Sequence, residues 1–136
     1  MKSQSLFPEN MRTMPESLTL DTIAGKLTYF QEQLQLLHWQ TTSYAEHQAL
    51  GGLYDFIHDF KDGLIEKIMG YTQKRPGVFK IPALSNSTSQ SCINDLLLFA
   101  TQLKQYGDMN SFHDVGNLAD TLSGEAAKVR YLLTLS

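Results

Sequence analysis

The chain has a single cysteine in 136 residues. Cys92 therefore has no intrachain disulfide partner. With Ile93 beside it and the apolar run 96–99 a turn on, it reads as a buried structural thiol. Basic charge is also scarce: 11 lysines and arginines against 14 acids leave a net charge of −3. A free-standing nucleic-acid binder usually carries a basic surplus. The first sixteen residues hold Lys2 and Arg12 against Glu9 and Glu16, which sum to zero. That gives no footprint for phosphate binding, so nucleic acid is not an expected partner. No apolar run approaches the roughly 20 residues needed to span a bilayer, so no membrane partner is expected. The N-terminus has no apolar core of signal-peptide length, and a cytoplasmic location is the expectation. There is no Gly-rich phosphate loop, no Ser/His/Asp arrangement and no Cys-x-x-Cys pair. Glu46 precedes His47, but no His-Glu-x-x-His follows.

What is present is helical periodicity. Hydrophobic content is 42% and charged content 18%, ordinary for one globular domain able to bury a core. Leu20, Ile23, Leu27, Phe30, Leu34 and Leu37 step by three and four, which predicts a helix over 18–39. Asp21 is a plausible cap, and residues 13–16 offer an earlier capping box. Gly25 is the only weak helix former inside. A second helix fits 44–70, with Leu50, Leu53, Ile57, Leu64 and Ile68 inward and Gly70 as its stop. Gly51 and Gly52 near its start allow a close helix crossing or mark a bend. Residues 71–90 break the pattern. Helices over 91–106, stopped by Gly107, and 112–134, capped by Asn110 or Ser111, complete the set. Residues 1–17 are left as an N-terminal segment and 18–136 as a single domain. The expected fold is all-α: an antiparallel four-helix bundle with a long crossover between the second and third helices, which is ferritin-like wiring.

Four polar residues stand out on this frame: His38, His47, Asp62 and Glu66. Asp62 and Glu66 are four apart, so they stack one turn apart on one helix face. Fifteen residues separate His47 from Asp62, roughly 22 Å along a helix. No ion bridges that gap within one chain. If the four form a site, two copies must pack antiparallel and each must lend half. At 100° per residue, Asp62 and Glu66 lie roughly 120° and 160° from the apolar face of their helix, so they point out of the bundle. A solvated acidic face, shared with Asp55 and Asp59, fits the same phase. His38 falls roughly 50° from the centre of its apolar stripe and also suits a role capping the turn. Trp39 points outward, as contact-surface aromatics do. Asp55 and His58 form an acid-x-x-His step, but the glutamate it would need, Glu32, points away from the core. His113 has no convergent acid and reads as structural. Imidazole with carboxylate suits iron, zinc or manganese better than calcium.

The run Leu37-His38-Trp39, then His47, then Asp62 and Glu66, resembles the Dps-type miniferritins of the ferritin-like superfamily. In that family a His-Trp pair closes the first helix, a second histidine opens the next, and Asp-x-x-x-Glu follows fifteen residues later. The resemblance implies a ferroxidase centre between two-fold related subunits. Asp62 and Glu66 would hold the first iron with His38 of the partner subunit, and His47 of the partner subunit would serve the second position. It also implies a homo-oligomer of two-fold dimers building a dodecameric shell, which oxidises ferrous iron, usually with peroxide, and stores the mineral. His38 and His47 are nine residues apart where the family usually has twelve, so the turn between the first helices is shortened. Residues 43–50 also resemble small ferritin-like proteins of bacteriophages. With the short turn, that favours a second reading: a metal-free structural or regulatory bundle acting through protein contacts.

Overall fold

A threonine pair starts the first helix. Thr19 accepts from the Thr22 amide at 3.2 Å, and Thr22 Oγ1 accepts from the Thr19 amide at 2.8 Å, a reciprocal capping box. Asp21, the cap suggested by sequence, instead accepts from the Gly77 amide at 2.8 Å. The computed structural model describes residues 17–136, so the suggested capping box at 13–16 and nearly all of the predicted N-terminal segment lie outside the described residues. Helix α1 spans Leu20–Gln40. After three residues, Ser43 caps α2, Tyr44–Thr72, by accepting from the Glu46 amide. Thr88 caps α3, Ser89–Met109, and α4 spans His113–Leu132 with a 3₁₀ turn, Leu133–Leu135, behind it. Among the described residues there are no strands, and no helix is long and apolar enough to cross a membrane.

Side-chain contacts give the wiring. Lys67 near the end of α2 pairs with Asp114 at the start of α4, so these two run antiparallel. Arg130 near the end of α4 donates to Asn94 near the start of α3. Ser89, at the start of α3, donates to Glu46, at the start of α2, so α2 and α3 begin at the same end. The protein is thus a four-helix bundle of two antiparallel hairpins, α1–α2 and α3–α4, joined by a long crossover, as the pattern predicts. The crossover must retrace the bundle. Helix α2, 29 residues long, measures roughly 43 Å at about 1.5 Å per residue. The sixteen residues 73–88 reach at most about 53–58 Å when extended.

The crossover lies along α1. Gly77 meets Asp21, and a Cβ on Gly25 would stand 2.1 Å from the Lys80 carbonyl oxygen, so only glycine fits there. Further on, the fully buried Gln33 donates to the Ser85 carbonyl and accepts from the Ser85 amide, both at 3.0 Å. The core is apolar. Ile23, Leu27, Phe30 and Leu34 meet Leu50, Ile57 and Leu64 of α2, Ile93, Leu96 and Phe99 of α3, and Val115 and Leu122 of α4.

Two predicted stops are not stops. Helix α2 passes Gly70, whose missing side chain faces open space, and ends at Gln73, which takes the left-handed conformation at φ 57°. Helix α3 passes Gly107, where a Cβ would stand 2.8 Å from the Gly116 amide nitrogen. Here glycine serves the close approach of α3 to α4. The turn itself is made by Ser111 at φ 59°, and Phe112 precedes α4 with no side-chain cap.

Candidate functional site

The shortened turn brings His38 and His47 together. His38 lies in the last turn of α1, His47 in the first turn of α2, and only residues 41–43 separate the helices. Their rings stack with centroids 3.8 Å apart and planes 15° from parallel. His38 Nδ1 is 2.7 Å from the His47 carbonyl oxygen, and His47 Nδ1 is 2.9 Å from the His38 carbonyl oxygen. A carbonyl only accepts, so both Nδ1 atoms carry hydrogen. In the neutral rings both Nε2 atoms then keep a free lone pair. Metal-bound histidines are commonly oriented in this way, by a backbone carbonyl on the other ring nitrogen.

The lock also closes the turn. The His38 carbonyl is among the last four of α1, beyond the helix's own ladder, and His47 supplies its donor. Gly51 makes room for the pair. A Cβ there would stand 2.8 Å from His38 Cε1 and 3.0 Å from His38 Nδ1. The two rings are half-buried. Trp39 and Tyr44 beside them are 67% and 74% exposed.

Asp62 and Glu66 stand apart from the pair. Both are exposed on the outer face of α2, in line with Asp55 and Asp59, as their helical phase predicts. The flanking lysines do not neutralise them. Lys61 donates to Thr28 at 3.3 Å, and Lys67 is held by Asp114. Among the described residues no ion pair engages Asp62 or Glu66. The structure therefore brings together two of the four sequence-derived candidates and leaves the carboxylates about four to five turns away along α2. Among the described residues no three His, Cys, Asp or Glu gather closely enough to hold a metal ion.

The other polar candidates are occupied or solvated. His58 is exposed and its Nδ1 is 3.0 Å from Gln31 Nε2. Glu32 and His113 are exposed. Cys92 is fully buried, and burial, aided by the Asp95 charge, pushes its thiol far above the usual range. Tyr29, close by in the core, is raised for the same first reason. Neither group serves as a nucleophile at neutral pH. The sequence marks Gly51 as a point of close helix crossing but not as the seat of the His38 ring. The signal was its place four residues after His47, on the same side of the helix.

A family model described as "Family of unknown function (DUF5856)" matches residues 38–133, from His38 through all four candidate ligands. No curated protein and no solved structure matches the chain. The matched region covers well over half of the 136 residues, and the chain belongs to this family of unknown function, DUF5856.

Proposed function

We propose that the protein binds ferrous iron between two-fold related copies of itself and oxidises it, as a ferritin-like, Dps-like subunit. The observation that carries this reading is the histidine pair. Each ring spends Nδ1–H on a carbonyl and keeps Nε2 available for an ion. The carboxylates complement it: Asp62 and Glu66 are exposed, one turn apart and free of ion pairs among the described residues. A second copy packed antiparallel along α1 and α2 would bring its histidines to them. Two imidazoles and two carboxylates form a mixed nitrogen and oxygen donor set, suited to ferrous iron and also to zinc or manganese. In this role Asp62 and Glu66 offset the charge of the incoming ferrous ion and favour the ferric product. The histidines limit the number of anionic ligands. Two ferrous ions give up one electron each, either to one peroxide, which takes two protons and leaves as two waters, or to one dioxygen, which takes two protons and leaves as peroxide. Two-fold dimers assembled into a dodecamer would retain the mineral.

A second reading is supported by the same pair. The lock closes the α1–α2 turn by itself, and Trp39 and Tyr44 stand exposed beside it. On that reading the bundle is a metal-free interaction protein, and the aromatic corner is its contact surface. An anaerobic ferrous titration followed by air or peroxide, read at the ferric absorbance, separates the two. Uptake with oxidation supports the first reading, and no uptake supports the second.

A further inference from the structure

We propose that Gly51 is the positioning residue of the histidine pair: its bare α-carbon is the seat that lets the His38 ring lie against α2 and keep its Nδ1–H on the His47 carbonyl. The ring is held on two sides. His47 stacks on one face at 3.8 Å, and the Gly51 backbone limits the edge carrying Cε1 and Nδ1. A methyl group at 51 would fall 2.8 Å from Cε1, closer than such contacts come, and 3.0 Å from Nδ1, tight enough that the ring must give. What must yield is the far end of a side chain, not backbone. The helix therefore accepts Gly51→Ala, and alanine is the better helix former. The ring does not stay. The atom pushed hardest after Cε1 is Nδ1, the donor of the 2.7 Å bond that leaves Nε2 free.

Gly52 supplies the control. A Cβ there meets nothing within 4 Å. Gly52→Ala brings the same gain in helix propensity with no pressure on His38. Two adjacent glycines in one helix turn thus have separable roles.

The consequence for metal rests on the iron-binding reading, but the geometry does not. The test uses the full chain labelled with ¹⁵N-histidine at neutral pH, with Gly51→Ala and Gly52→Ala beside the wild type. Bonded Nδ1–H groups are observed by NMR, and ferrous iron is titrated without oxygen. The wild type and Gly52→Ala are expected to show protected Nδ1–H signals from both His38 and His47. Gly51→Ala loses the His38 signal, stays folded, and binds ferrous iron roughly 10- to 100-fold more weakly, as loss of a ligand-orienting partner does. Retention of both signals in Gly51→Ala would overturn the proposal, as would equal loss in Gly52→Ala. A wild type that takes up no iron would refute the iron-binding reading alone, and the NMR signals would still decide the role of Gly51.

Discussion

Replacing His47 with alanine should cost more stability than replacing His38, although the two rings make what looks like a symmetric pair. His47→Ala removes the donor to the His38 carbonyl, one of the last four of α1. An orphaned, half-buried carbonyl costs about 1–3 kcal/mol. The ring stack adds about 0.5–1.5 kcal/mol. Together these give about 1–4 kcal/mol, after a small gain from alanine in the first turn of α2. His38→Ala loses the same stack but leaves a different carbonyl. The His47 carbonyl lies inside α2, where the helical ladder supplies another donor, so the loss is about 1–2 kcal/mol. The stack is lost only once in the double variant. Its cost should therefore fall short of the sum of the singles by about 0.5–1.5 kcal/mol. Urea unfolding followed by circular dichroism, at one protein concentration and with unchanged m, gives all four corners of the cycle. Strict additivity, or a larger cost for His38→Ala, would refute this account of the corner.

Two more outcomes follow. Asp62→Ala with Glu66→Ala should abolish ferrous oxidation and shift stability by no more than about 0.5 kcal/mol, since both side chains are solvated and their mutual repulsion is relieved; oxidation at the wild-type rate in an iron assay would exclude these carboxylates from the centre. Stability should also fall in alkali: burial holds the Cys92 and Tyr29 protons in the folded chain, while the unfolded chain releases them above their ordinary values of 9.0 and 10.0. The stabilisation is thus complete below about pH 9 and declines above it, by up to about 1.4 kcal/mol per pH unit for each group. Cys92→Ala should flatten the decline between pH 9 and 10, and a urea midpoint that does not change from pH 8 to 10.5 would contradict this.

The bundle is legible in the sequence because leucine and isoleucine recur at helical spacing in four separate runs, and nothing else about the chain competes with that period. The outward phase of Asp62, Glu66 and Trp39 is equally legible, since it follows from counting residues around a helix. Helix ends are not. Gly70 and Gly107 look like stops, but glycine serves both turns and tight packing, and only the neighbouring element decides which. Gly107 is claimed by Gly116, which is distant enough in sequence to leave no local sign. Gln33 and Gly25 are similar cases, because their partners are backbone groups of the crossover. The histidine pair was legible as two candidates and not as one unit. The nine-residue interval reads as a shortened turn, and that shortening is what lets the rings meet.

In the proposed site the histidines of one copy and the carboxylates of another share an ion. Native mass spectrometry of the protein after anaerobic loading with ferrous iron reads oligomer mass and metal content together. The expected species is an even multiple of the 15.3 kDa chain that carries iron and loses it in the Asp62→Ala, Glu66→Ala variant. A wild-type protein that stays iron-free at every mass observed would contradict it.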